Sequence, residues 1–192
     1  MSVEIDQNNV VILPEAVLII GTYDEAGVPN AMNAAWGTQT DFNEITISLS
    51  KHKTTENIEK TGAFTVAFAT VDTVTISDYF GVETGRKINK IDKAGCHVHK
   101  SPNVNAPIIE EYPLTLECKV KRWDAGEGIL VGEIVAQQAD ESIMTDGHVD
   151  LDKMKPIIYD SSIHAYRTVG PVIATAFEEG FKIKKSVDKW DN

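Results

Sequence analysis

Two nearby stretches hold the side chains best suited to chemistry: NAMNAAWGTQT over residues 30–40 and SLSKHKTTENI over residues 48–58. In the second, Ser50, Lys53, Thr54 and Thr55 gather hydroxyls and an ammonium group where a strand-like pattern gives way to a helix-like one. A helix N-terminus offers unpaired amide N–H groups and the positive end of a dipole, and both favour a bound phosphate. In the first stretch Ala31 and Ala35 flank Asn33 on one strand face and keep it nearly free of bulk, so that a flat ring could lie close to the main chain. Asn33 can donate or accept toward ring heteroatoms. A phosphate anchor beside a ring shelf is what a nucleotide-type cofactor needs. Each half also has a plainer reading: a capped surface helix following a strand, and alanines filling a tight barrel interior.

The elements that must position these residues are legible from periodicity. Ile45, Ile47 and Leu49 alternate with Thr46, Ser48 and Ser50, the pattern of a strand with one buried face. The chain turns polar at Lys51, His52 and Lys53, which predicts a short helix with Thr54 as N-cap and Gly62 as terminator. Upstream, VLIIGTY, the turn DEAG and VPNAMNAAW read as a hairpin. Its second strand is expected to run over residues 30–40, with Met32, Ala34 and Trp36 on one face and Ala31, Asn33 and Ala35 on the other. FTVAFA over residues 64–69 is a further strand, and DTVTISDYFG a short helix or turn ending at Gly81. The strongest hairpin signal is LTLECKVKRW, the glycine-bearing turn DAGEG, then ILVGEIVAQQ. Residues 101–107 read as a loop, PIIYD and HAYRTVG as short strands, and residues 182–192 as an extended charged tail. The fold class that follows is mainly β with short helices (α+β), an antiparallel, closed or partly closed barrel. No GxGxxG fingerprint follows a strand, so a Rossmann site has no support.

The segments NAMNAAWGTQT, ITISLSKHKTTENIEKTGAFTVAF and DYFGVETGRKINKIDKAG, in that order, resemble the flavin reductase-like family of FMN-binding split barrels, particularly its flavoredoxin branch. The resemblance runs over residues 10–177 of a single domain spanning 1–192. It implies a Greek-key-like split β-barrel and a homodimer with FMN near the subunit interface. Reduction by NADH or NADPH, or electron exchange with a redox protein partner, is also implied. By position, the ring would lie against Asn30, Ala31, Met32, Asn33, Ala34, Ala35 and Trp36, largely through main chain. Ser48 and Ser50 would face the ribityl and phosphate region, and Lys53, Thr54 and Thr55 would hold the phosphate. In GRKINKID the family has a lysine usually followed by phenylalanine; here the pair is Lys90 and Ile91, a departure that bears on Lys90.

Composition is compatible with this. A chain of 192 residues with 42% hydrophobic content can bury one substantial core. Its formal charge of −11 opposes long-range attraction to nucleic acid or anionic membrane. The cations cluster at Lys51 and Lys53 and at Arg86, Lys87, Lys90 and Lys93, which suits a small phosphorylated ligand, although RKINK also reads as a solvated helix face. No segment approaches the roughly 20 apolar residues of a membrane span, and the first ten residues lack the regions of a secretory signal, so a cytoplasmic protein is expected. Cys96 and Cys118 form no CxxC and no disulfide framework; Cys118 reads as a buried strand residue and Cys96 as a free thiol in a loop. His97 and His99 would point to one side of a strand, a weak metal-site pattern without HExxH. GxSxG is absent, and His164 and Tyr166 sit in a late segment that could return to the barrel mouth.

Overall fold

The computed structural model describes residues 2–5 and 11–187. In chain order the elements begin with β1 (Glu15–Ala16), β2 (Leu18–Tyr23), β3 (Pro29–Ala34), β4 (Gly37–Asp41), β5 (Glu44–Ser48), α1 (Lys53–Thr61) and β6 (Ala63–Phe68). The middle of the chain forms α2 (Val74–Val82), α3 (Lys90–Ala94), β7 (Val98–Lys100), β8 (Pro107–Ile109), β9 (Leu114–Asp124) and β10 (Ile129–Ala139). After these come β11 (Met144–Thr145), β12 (His148–Val149), α4 (Leu151–Met154), β13 (Ile157–Asp160), β14 (Ala165–Thr168) and α5 (Phe181–Val187).

Seven strands form one sheet in the order β3-β2-β6-β9-β10-β5-β4, every pair antiparallel. Leu18 and Ile20 near one edge share a core cluster with Ile45, Ile47 and Leu130 from the other end, so the sheet curls around its own interior into a half-barrel. The opposite face of the same strands is also dry. Val17, Ile19, Ala31 and Ala67 pack there against Phe80 of α2, Ile91 of α3, Ile109 and Tyr112. Strand β6 is accordingly buried at five of its six positions. A strand buried on both faces loses the polar half of its pattern.

Curvature demands close approach at Gly132 in β10. A Cβ there would meet the Phe64 ring at 2.4 Å, and the β9–β10 register shifts beside it, between Val131 and Gly132. Glu117 of β9 pins a peripheral loop. It is fully buried, accepting from Ser101 Oγ, from Asn103 Nδ2 at 3.0 Å and from Gln138 Nε2 at 2.7 Å. Burial alone would raise its pKa, but the bonds from Ser101, Gln138 and Asn103 outweigh that and hold the carboxyl below its ordinary range.

Several sequence expectations need correction. The strand over residues 30–40 is broken at Ala35 and Trp36, so Trp36 does not continue the face of Met32 and Ala34; it is 66% exposed. Helix α1 has His52 as its N-cap, not Thr54, because Thr55 Oγ1 takes the bond from His52 N at 2.9 Å and starts the helix earlier. Residues 181–187 are helical, not extended, and the rest of that tail lies outside the described residues. Both hairpins and the two late strands fall where the sequence placed them, and the expected loop over residues 101–107 holds to residue 106, since Pro107 opens β8.

Replacing Gly132 by alanine should cost about 1–3 kcal/mol of unfolding free energy through overpacking against Phe64, measurable by urea denaturation. Glu117→Gln should remove a specific acid sensitivity. A carboxyl with a depressed folded pKa stabilises fully above its unfolded pKa and loses that contribution as pH falls through the folded value. Wild-type stability should therefore decline more steeply than that of Glu117→Gln below the ordinary carboxylate range in pH-dependent melting.

Candidate functional site

Strand β3, the start of α1, the end of α2 with the loop after it, and the first residue of α3 enclose a cleft of about 230 Å³. Buried side-chain bonds hold its walls together. Asn30 Nδ2 donates to Thr54 Oγ1 at 2.7 Å, tying β3 to α1, and Asn57 Nδ2 donates to Thr22 Oγ1 at 3.0 Å one turn further on. Asn33 Nδ2 donates to the Ser77 carbonyl at 2.9 Å, tying β3 to α2. The loop rests on Asn30 at Gly85, where a Cβ would lie 2.0 Å from Asn30 Oδ1; only a residue without a side chain fits there.

The charge in this cleft is predominantly positive. Lys53, Arg86, Lys90 and His52 line it, opposed by Glu83. Lys90 is 4% exposed because Asn89 caps α3, its Oδ1 accepting from Ile91 N and Asp92 N, and Ile91 anchors the helix in the core. Its Nζ donates to the Phe80 carbonyl at 2.8 Å, leaving two N–H groups with no protein acceptor among the described residues. Burial lowers its pKa to about 8, with Glu83 partly opposing. Burial also lowers His52, and the charges of Lys90 and Arg86 add to that effect. The positive potential of Lys90 and Arg86 that disfavours protonation of His52 is one that a bound anion would relieve. Lys53 Nζ lies 3.5 Å from Asp24 Oδ2, and Arg86 pairs with Glu56 at the rim.

Of the residues singled out from sequence, the cleft brings together Asn30, Met32, Asn33, Lys53, Thr54 and Lys90. Ala31, Ala34, Ala35, Trp36, Ser48, Ser50 and Thr55 do not line it. Ala31 is fully buried beneath α2 and α3, so its small size makes room for helices rather than for a ring. Ser48 pairs with Ile129 in the sheet, its N–H donating to the Trp36 carbonyl at 2.8 Å, and Ser50 is exposed. Lys90 belongs to no solvated face. Arg86 belongs to the second cationic cluster noted in the sequence, whereas His52 and residues 80–85 were not anticipated; the glycines at 81 and 85 are the one sequence signal that a close approach was needed. A Cβ on Gly81 would stand 3.3 Å from the Asn33 side chain.

Beside Asn33, Tyr166 Oη donates to Asp78 Oδ1 at 2.8 Å, and burial with Asp78 pushes its pKa up to about 12. Tyr159 Oη lies 2.6 Å from His164 Nδ1. His97 and His99 are each paired with a carboxylate, Glu111 and Glu110. Burial raises both thiols, Cys96 to about 11 and Cys118 to about 12, leaving neither as a thiolate at neutral pH. Among the described residues no helix is long and apolar enough to cross a membrane.

The donor set of the cleft, two lysines, an arginine, four hydroxyl or amide side chains and a helix start, has the chemistry to hold a phosphate ester. The chain is similar to flavoredoxin of Desulfovibrio vulgaris (Miyazaki F), at 30% identity and TM-score 0.87, covering 94% of this chain and 98% of that one. It is also similar to flavoredoxin from Methanosarcina acetivorans, at 29% identity and TM-score 0.85, covering 95% and 99%. An FMN-binding domain of a flavin reductases-like enzyme from Shewanella baltica OS155 shares the fold at 20% identity and TM-score 0.76, covering 90% and 100%. The half-barrel is thus a split-barrel fold of that kind. Residues 11–161 match the flavin reductase like domain model, and the chain belongs to the flavin reductase-like family.

Proposed function

We propose that the chain binds FMN with its phosphate in the Lys53–Lys90 cleft. It would act as a homodimeric oxidoreductase, taking electrons from NADH or NADPH and passing them to a flavin or another small acceptor. The observation that carries the reading is the convergence of a buried lysine, a second lysine and the start of α1 on one cleft walled by Asn30 and Asn33. Bound there, FMN would supply the hydride and electron chemistry.

The protein's own part is binding and orientation. A cleft of about 230 Å³ is smaller than the roughly 300–1,000 Å³ that encloses a whole ligand, so it takes the phosphate and adjoining chain. The ring would then emerge past Met32 and Asn33, leaving a face open for a nicotinamide to stack. Asn33, fixed by the Ser77 carbonyl, would keep its oxygen available to the ring edge. Thr54 and Asn30, already bonded to each other, would need no reorganisation to meet the phosphate. A second reading is favoured by the net charge of −11 and the two flavoredoxin likenesses: an electron-transfer protein reduced by a basic redox partner, its rate falling with added salt.

The first test is the visible spectrum of protein supplied with FMN, followed by anaerobic NADH or NADPH. Rapid bleaching supports the reductase; a flavoprotein that stays oxidised supports the protein-partner reading; no flavin uptake rejects both. Lys53→Ala should weaken FMN binding by about ten- to a hundredfold with turnover recovered at excess FMN, since loss of one charge-assisted contact costs about 1.5–3 kcal/mol. The affinity should also titrate. The phosphate gains its second charge near pH 6, and Lys90 loses its own through about pH 8. Affinity should peak between these values, and Lys90→Met should abolish the alkaline limb in fluorescence titrations.

A further inference from the structure

Past β14 the chain leaves the body as an arm with its apolar side chains in water: Val172 is 89% exposed, Ile173 94% and Phe177 96%. Between residues 169 and 181 the hydrogen bonds among described residues are turn contacts within the arm, from Glu178 N to the Thr175 carbonyl and from Phe181 N to the Glu178 carbonyl. Phe177 also adopts φ 66°, a left-handed conformation that a bulky residue holds only where packing compensates the strain. The chain's own body provides no such packing, because that ring is almost entirely exposed.

The body has a matching deficit. At the open end of the half-barrel a groove of about 820 Å³ is lined by Leu18, Phe68, Leu116, Ile134, Val135 and Ala136, with Phe42 at its rim 94% exposed. The groove also includes Ala16 of β1, and β1, β13 and β14 form one small sheet from which the arm departs. The arm leaves β14, separated by β13 from the β1 strand that meets the groove, and no residue of the arm or of β14 lines the groove within its own chain. In a pair related by a two-fold axis, one such contact is made twice and covers both apolar surfaces. Two uncovered apolar features of this size on one chain are more than a soluble monomer ordinarily carries.

We propose that the arm around Val172, Ile173 and Phe177 is exchanged between two copies of this chain and fills the apolar groove of the partner. This rests on the homodimer reading but not on FMN binding. The groove lies apart from the cationic cleft, sharing no lining residue with it.

The experiment uses the full chain. Ile173→Asp with Phe177→Asp alters only side chains that water already surrounds in the single copy, so the monomer should keep its melting temperature. The dimer should weaken at least about tenfold in analytical ultracentrifugation, as loss of an apolar anchor predicts. In a Cys96→Ser background, Phe177→Cys and Gln137→Cys treated with a flexible bismaleimide should yield a covalent dimer on denaturing gels. Each cysteine placed alone serves as the control for adventitious linkage. A monomeric wild-type chain would overturn both the homodimer and the exchange. A dimer that the aspartates leave intact, linkage within one chain, or no linkage would overturn the exchange alone, while FMN titration reports separately on the cleft.

Discussion

The fold depends on strands that are dry on both faces. Phe64 and Val66 turn into the half-barrel while Ala67, on the same strand, turns toward α2 and α3. Ile19 and Ile20 divide between the two cores in the same way. Each fully buried Ile or Phe contributes about 1.5–3 kcal/mol, and the outer set contributes only if something covers it. That requirement places α2 and α3 on the back of β3, β2 and β6. The cleft is the seam where this helical layer meets α1.

A seam between two cores must bury polar groups, and here each finds at least one partner. Asn30 bonds Thr54, Asn57 bonds Thr22, Ser77 Oγ lies 3.0 Å from Tyr112 Oη, and Lys90 bonds the Phe80 carbonyl. Burial raises the Tyr112 pKa and lowers that of Lys90, each in the direction of the neutral form. The two groups differ in consequence. Tyr112 is satisfied and neutral, whereas Lys90 remains charged through neutral pH with donors to spare. Its desolvation is a cost to folding that an anionic ligand can offset.

Local signals made much of this legible in sequence. Alternation with glycine-bearing turns located the β2–β3 and β9–β10 hairpins, and αL Gly62 ended α1 as expected. Lys53, Thr54, Asn30 and Asn33 were recognisable because residue type and nearness to a helix start carry the signal. What escaped is set by distant contacts. Ala31 has the same small side chain whether it admits a ring or a helix, and only the packing of Phe80 and Ile91 decides between them. Lys90 was singled out through the family resemblance, but its burial was not legible: in a charged run it also reads as solvated until Asn89 and Ile91 are seen to draw it inward. The break at Ala35 and Trp36 takes the chain from β3 at one edge of the sheet to β4 at the other, where Gly37 pairs with Ile47 of the adjacent β5.

The central claim is that the cleft recognises a phosphate ester attached to a flavin. The most direct measurement compares the dissociation constants of FMN and riboflavin, which share the ring and ribityl chain and differ only in the phosphate. The account predicts that FMN binds at least about a hundredfold tighter, from two or more charge-assisted contacts, with the difference shrinking in high salt. Equal affinities would contradict it, showing that the lysines, the α1 start and Asn30 hold no phosphate.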